Sequence, residues 1–97
     1  MTTKIPDITR LYKGARHEFE VEVVFAPGGG QSPRESHNFD EIIVLTEGTI
    51  TLERSDREEV VHYDKTPAFI EIPAGVEHVI GSTAPAKLVI IHPNRNV

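Results

Sequence analysis

Two short segments of this chain carry the residue types that hold metal ions in proteins. The first contains Glu35, His37 and Glu41, and the second contains His78. The three residues of the first segment have odd numbers, so on an extended backbone their side chains would share one face, unless a bend at Asn38 breaks the register. Imidazole nitrogen and carboxylate oxygen both bind divalent ions such as Zn, Mn and Fe. The chain has no cysteine, so any metal must be held by His and carboxylate side chains.

The second segment contains a turn that would aim His78. Residues 72–78 read Ile-Pro-Ala-Gly-Val-Glu-His. Pro73 presets φ for the second position of a tight turn, and Gly75 relieves the exit of that turn. The chain is therefore expected to reverse here and to deliver His78 to the start of a new strand.

Together the two segments resemble the paired sequence signature of the cupin superfamily. The first family motif is commonly written G-x5-H-x-H-x3,4-E-x6-G, and the second is written G-x5-P-x-G-x2-H-x3-N. The back half of the first motif and the centre of the second are matched by His37, Glu41, Gly48, Pro73, Gly75 and His78. With the flanking strands, the resemblance covers roughly residues 19–93.

The sequence departs from the family pattern at three positions. Glu35 stands where the family usually has its first histidine, Pro67 where the second motif opens with glycine, and Ser82 where it closes with asparagine. The first departure concerns chemistry, and the other two mainly concern turns.

The resemblance implies a small double-stranded β-helix, or jelly-roll barrel, with a metal ion held inside by His37, Glu41 and His78. Two His and one carboxylate are the ligand set of a facial triad, which leaves open positions on a non-haem Fe(II) centre. If Glu35 replaces the missing histidine as a fourth ligand, the two carboxylates cancel the charge of a divalent ion. Such a set favours Fe(II) or Mn(II), with Zn or Ni as alternatives.

Short β-branched segments, each bounded by Asp, Pro, Gly or Ser, predict seven or eight strands and no helix after residue 16. The predicted strands are residues 17–25, 42–45, 49–52, 60–63, 68–72, 78–80 and 87–91. Strands at intervals of about ten residues, without helices between them, are typical of a sandwich or a closed barrel. The predicted fold class is therefore all-β.

This strand pattern carries three local predictions. In the first strand, alternation separates an apolar face, which is expected to be the buried one, from an acidic face. The apolar face comprises His17, Phe19, Val21, Val23 and Phe25, and the acidic face comprises Glu18, Glu20 and Glu22. The strands on either side of Gly48 are predicted to form a hairpin, and the charged residues 54–59 are predicted to form the solvated tip of another.

Length and charge limit the number of domains and the kinds of partner. The 97 residues suffice for a single domain, which we divide into an N-terminal arm, residues 1–16, and a barrel, residues 17–97. The net charge of −5 leaves no positive surplus for binding nucleic acid. The sequence shows no signal peptide and no apolar run near the roughly 18 residues of a membrane span. A cytoplasmic protein without a membrane partner is expected.

The run at residues 42–45 predicts that the chain has a protein partner. The run is apolar on both faces of its strand, so one face packs inside the barrel and the other must also be covered. A second copy of the chain is the simplest cover, and it could also protect exposed edge strands. We therefore expect a homodimer.

The resemblance implies a small-molecule substrate, but it leaves the reaction open. One possibility is O2-dependent oxidation of the dioxygenase type, and another is isomerisation or epimerisation, which would need a nearby base. His17 is the candidate base, whereas His62 and His92 have less in their favour, and Phe39 could cap the mouth of the pocket. Two other classes of function also stay open, a non-catalytic module that binds a sugar or organic acid, and a structural subunit with a vestigial site.

Overall fold

The computed structural model describes residues 9–16 and 19–93. Within these residues the chain forms nine β-strands and no helix, which confirms the all-β prediction. The strands are β1 (Thr9–Arg16), β2 (Phe19–Ala26), β3 (Gly30–Gln31), β4 (Glu41–Glu47), β5 (Ile50–Arg54), β6 (Val61–Tyr63), β7 (Ala68–Ile72), β8 (His78–Ser82) and β9 (Ala86–His92). In the described part of the chain, no helix has the length and hydropathy needed to cross a membrane.

The strands form two antiparallel sheets around one core. The larger sheet has the strand order β1-β2-β9-β4-β7, and the smaller sheet has the order β3-β8-β5-β6. Successive side chains of a strand point to opposite faces, so Ile43 and Leu45 of β4 are fully buried, whereas Ile42 and Val44 are half-buried. The rest of the core consists of Val24, Ala26, Ile50, Leu52, Ile70, Ile72, Ala86 and Leu88. Burying an aliphatic side chain of this size stabilises the fold by about 1.5–3 kcal/mol.

The chain changes sheets at Gly48, and here the hairpin prediction is wrong. β4 pairs with β7 and β9 in the larger sheet, whereas β5 pairs with β6 and β8 in the smaller sheet. Gly48 joins them with φ of +87°, a left-handed conformation that glycine adopts without strain. Two apolar runs around a glycine are compatible with either a hairpin or a crossing between sheets, so the local sequence did not distinguish the two.

The second predicted hairpin is present between β5 and β6. The two strands pair in antiparallel register at Leu52 and Val61, and residues 55–60 between them are exposed. Arg54 is the exception within the charged cluster, because it is buried and makes two hydrogen bonds, of 2.6 and 2.9 Å, to Asp56. These bonds offset the cost of removing the guanidinium from water.

β2 turns its acidic face toward the core, which is opposite to the prediction. Glu20 and Val24 are buried, whereas Val21, Val23 and Phe25 are half-buried on the other face. The predicted alternation is present, but the two faces were assigned the wrong way round because the outer face of this sheet is apolar as well. β1, which belongs to the predicted arm, pairs with β2 and forms one edge of the larger sheet.

Candidate metal centre

Backbone hydrogen bonds hold the first motif against the second. After β3 the chain runs beside β8, where the Ser32 N–H donates to the Ile80 carbonyl at 2.8 Å. Glu35 and His78 then form an isolated β-bridge by exchanging two backbone hydrogen bonds of 3.2 and 3.0 Å. Glu35 is therefore adjacent to His78, although the two residues are far apart in the sequence.

The turn before β8 makes the next contacts between the two motifs. The Gly75 N–H donates to the His37 carbonyl at 2.8 Å, and the Ala74 N–H donates to Asp40 Oδ1 at 3.0 Å. A hydrogen bond of 3.2 Å from the Val76 N–H to the Pro73 carbonyl closes the turn. Pro73 thus occupies the first position of the turn rather than the predicted second, and Gly75 occupies the third with φ of +86°. The predicted outcome is nevertheless correct, because β8 begins at His78.

Three of the predicted ligands come together where the two motifs meet. The Nε2 atom of His37 lies 3.1 Å from Glu41 Oε1, and the Nε2 atom of His78 lies 3.5 Å from Glu41 Oε2. One ligand atom from each of the three residues lies within 4.8 Å of the others. Glu41 and His78 are buried, whereas His37 is half-buried and faces the open side of the site.

Glu35 lies at the rim of this group. Its Oε1 atom is 3.7 Å from His37 Nε2, and its side chain is 49% exposed. Residues 36–40 are not in a strand, and the chain bends at Asn38 and Phe39. The bend, and not a shared strand face, brings Glu35 and His37 near Glu41. The assignment of Glu35 as a ligand stays a prediction.

Phe39 packs on the imidazoles of the site. Its ring stacks on the His37 ring with centroids 4.8 Å apart and planes 5° apart, and it contacts the His92 ring at 4.7 Å with planes 56° apart. An aromatic ring against two imidazoles restricts their orientation and excludes water from one side of the site.

His92 and Glu20 belong to this site, although the sequence analysis gave neither a role in it. His92 Nε2 lies 2.9 Å from Glu41 Oε1, and His92 Nδ1 lies 2.9 Å from Glu20 Oε1. One sequence signal could have identified His92. Lys87 is charged and is exposed in the structure. Because successive side chains of a strand point to opposite faces, Leu88, Ile90 and His92 then share the face away from solvent.

The placement of two other residues bears on this site. His17, the candidate base, lies outside the described residues. Arg34, which directly precedes Glu35, pairs with Glu53 and, at 3.3 Å, with Glu77. These partners lie on the surface of the smaller sheet and the turn, so Arg34 is engaged at the surface beside the site.

A family signature extends over most of the chain that carries this site. Residues 21–92 match the family model described as the cupin domain. The chain belongs to the cupin family. The resemblance inferred from the two motifs is thus confirmed. Among curated proteins, none matches this cupin.

Solved structures share the fold of this cupin at low sequence identity. An RmlC-like cupin family protein with a double-stranded β-helix fold, from Methanocaldococcus jannaschii, has a TM-score of 0.77 at 18% identity over 97% of this chain and 88% of that one. KdgF from Halomonas sp. has a TM-score of 0.81 at 16% identity over 98% and 87% of the two chains. The DMSP lyase DddQ from Ruegeria pomeroyi has a TM-score of 0.79 at 15% identity over 93% of this chain and 48% of its own. These likenesses confirm the predicted double-stranded β-helix.

Opposing effects set the charge of the buried groups in this cupin. Burial opposes ionisation of Glu41, but the hydrogen bond from His92 and the charges of the neighbouring imidazoles outweigh it, so the pKa of the Glu41 carboxyl is lowered. Burial also opposes protonation of His92, but its hydrogen bonds to Glu41 and Glu20 outweigh that effect, so the pKa of His92 is raised. Glu41 is therefore held as a carboxylate.

The donor groups of the cupin fit a divalent ion. The Nδ1 atom of His78 lies 3.1 Å from the Val76 carbonyl, which accepts its hydrogen bond, so Nε2 is the ring nitrogen that faces Glu41. An imidazole whose Nδ1 is held by a backbone carbonyl while Nε2 faces a carboxylate is the usual arrangement of a metal-binding histidine. His37, Glu41 and His78 can therefore hold a metal ion.

Proposed function

We propose that this cupin binds one divalent metal ion through His37, Glu41 and His78 and uses it to act on a small organic molecule. The observation that carries the proposal is the convergence of three ligand atoms within 4.8 Å, two of them from buried side chains. A metal ion bound there supplies a Lewis acid, which stabilises negative charge on a substrate oxygen. A ligand set of two imidazoles and one carboxylate leaves positions open for a substrate.

The donor set supports Fe(II) or Mn(II) as the ion, with Zn or Ni as alternatives. Carboxylate oxygen favours the harder ions, whereas imidazole nitrogen can bind any of these four ions. Glu35 is our proposed fourth ligand, because its Oε1 atom lies 3.7 Å from His37 Nε2. With Glu35 bound, two carboxylates balance the two positive charges of the ion, which further favours the harder ions.

The substrate is proposed to enter from the side of His37 and Glu35. The side chains of Glu41 and His78 are only 5% and 4% exposed, whereas those of His37 and Glu35 are 20% and 49% exposed. Both proposed reaction types, dioxygenase and isomerase, need such an open side. Of the structural neighbours, one is a DMSP lyase, which supports enzyme chemistry on this fold.

The proposed cytoplasmic location stays a prediction.

Elemental analysis of gently purified protein tests the proposal. We expect close to one Fe or Mn per chain in the wild type, and loss of that metal in His78→Ala, because the variant removes a buried ligand. The matched control is His62→Ala, since His62 is exposed on β6 and should not affect the metal content. Adding Mn(II) at 100 times its Kd to the metal-free wild type should stabilise it by about 2.7 kcal/mol. A metal-free wild type whose melting temperature is unchanged by Mn(II) would indicate a vestigial site instead.

We also propose that the protein is a homodimer through the outer face of the larger sheet. The strand register aligns apolar side chains in two rows across this face. One row contains Val21, Ile91 and Ile42 and ends at the exposed Glu71 of the edge strand β7, and the other contains Val23, Val89, Val44 and Phe69. Phe69, at the end of its row, is 67% exposed. A second copy would present the same apolar rows with no opposing charges at the centre, which supports it as the partner.

Sedimentation equilibrium at micromolar concentration tests the dimer. The wild type should have twice the chain mass of 10.8 kDa, and Phe69→Glu should reduce it to the mass of one chain, because it places a charge in the apolar row. Phe69 is exposed within one chain, so the variant should still fold. His62→Glu on the smaller sheet is the control and should remain dimeric. A wild type with the mass of a single chain would refute this proposal without affecting the metal site.

A further inference from the structure

Glu20, His92 and Glu41 form a row across three adjacent strands of the larger sheet. Glu20 of β2 lies directly opposite His92 of β9. Ile91 of β9 pairs with Ile42 of β4, so His92 lies opposite Glu41 in the same antiparallel register. Glu20 is 3% exposed, Glu41 is 4% exposed and His92 is 8% exposed. Each of these ionisable groups loses its hydration on folding, which costs free energy. Burying all three together is therefore expected only where they have a function.

Both ring nitrogens of His92 are engaged by carboxylates. The Nδ1 atom lies 2.9 Å from Glu20 Oε1, and the Nε2 atom lies 2.9 Å from Glu41 Oε1. The contact with Glu41 is shorter than the 3.1 Å from His37 and the 3.5 Å from His78. His92 therefore makes the closest of the three imidazole contacts with Glu41.

We propose that Glu20 and His92 form a positioning pair that holds the Glu41 carboxylate in the orientation required for metal binding. This inference rests on the proposed function, because it assumes that Glu41 is a ligand. His92 holds Oε1 of Glu41, and Glu20 fixes the orientation of the His92 ring by accepting from Nδ1. Carboxylates that bind metals are generally held by such hydrogen bonds, and removing the partner weakens the site.

Packing around His92 supports the same role. Phe39 contacts the His92 ring with centroids 4.7 Å apart, so the ring is confined between an aromatic side chain and two carboxylates. The three residues with ligand atoms within 4.8 Å of one another do not include His92. A ring whose two nitrogens are both engaged has none left for the ion, so the geometry favours positioning over direct coordination.

Mn(II) titration of four purified variants tests the pair. The variants are His92→Leu, His92→Gln, Glu20→Gln and the double variant Glu20→Gln/His92→Leu, with His62→Leu as the control. The free ion is measured by its electron paramagnetic resonance signal, and coordinated imidazole nitrogens are counted by pulsed measurement on the bound ion. Circular dichroism confirms that each variant is folded, and Glu20→Gln keeps the test valid if His92→Leu does not fold.

We expect His92→Leu to bind Mn(II) about 10- to 100-fold more weakly than the wild type, as is usual when the hydrogen-bonding partner of a ligand is lost. His92→Gln keeps a donor and should recover part of this loss. Glu20→Gln should also weaken binding, but it should add nothing in the double variant, because Glu20 acts through His92. The number of coordinated imidazoles should be the same in wild type and His92→Leu.

Three results would overturn the positioning pair. One is the loss of a coordinated imidazole in His92→Leu, which would make His92 a ligand. Another is binding by His92→Leu and Glu20→Gln as tight as that of His62→Leu. The third is additive losses in the double variant, which would separate Glu20 from His92. Each of these three results, with a wild type that binds Mn(II), overturns the pair alone, whereas a wild type that binds no Mn(II) would overturn the proposed function on which the pair rests.

Discussion

Glu41→Gln is expected to weaken Mn(II) binding by more than about 100-fold, which exceeds the usual loss when only a partner of a ligand is removed. Glu41 contributes the single carboxylate among the three converging residues, and its oxygens lie 3.1 and 3.5 Å from the Nε2 atoms of His37 and His78. Glutamine keeps the size of the side chain but removes its negative charge. A divalent ion would then be held in a buried position without the charge that balances it.

The matched control for this experiment lies on the same strand. Glu47 ends β4, is exposed, and lies 3.4 Å from the ammonium group of Lys87. Glu47→Gln makes the same chemical change without touching the site, so its Mn(II) affinity should equal that of the wild type. Equal affinities of Glu41→Gln and Glu47→Gln in a titration of the free Mn(II) signal would show that Glu41 is not a ligand.

The parts of this site that were predicted from the sequence are those with local causes. His78 begins β8 because a turn with glycine at its third position precedes it. His37 lies near Glu41 because only a few residues separate them and the chain bends between them. Glycine and proline mark such turns directly in the sequence. The matched spacings of the two motifs describe the same local geometry, so the three candidate ligands were predicted together.

The parts that were missed depend on strand order. His92 and Glu20 are separated by 72 positions, and they meet because β9 lies between β2 and β4 in the larger sheet. The outer face of that sheet is apolar, so alternation alone assigns the wrong face of β2 to the core and places Glu20 in solvent. Buried acidic side chains depart from the usual pattern, and such departures are expected at functional sites.

Tertiary structure also distinguishes two motif glycines that have the same backbone conformation but different surroundings. Gly48 and Gly75 both have positive φ, +87° and +86°. A Cβ atom on Gly75 would have nothing within 4 Å, whereas one on Gly48 would collide with the Pro85 carbonyl oxygen and approach the Ala86 Cα to 2.8 Å. Gly48 is where the chain crosses between sheets, and it is pressed against the turn that leads into β9. Gly75 needs only its backbone conformation.

Alanine at these two positions should therefore have unequal effects on stability. Gly75→Ala should lower the free energy of unfolding by about 1–2 kcal/mol, the cost of a left-handed conformation for an L-residue. Gly48→Ala carries that cost and a backbone clash worth a further 1–3 kcal/mol, so a loss of about 2–5 kcal/mol is expected. Urea denaturation of the metal-free proteins measures both, because metal binding would otherwise add its own stabilisation. Equal losses in the two variants would mean that the approach of Gly48 to Pro85 and Ala86 does not constrain the crossing between the sheets.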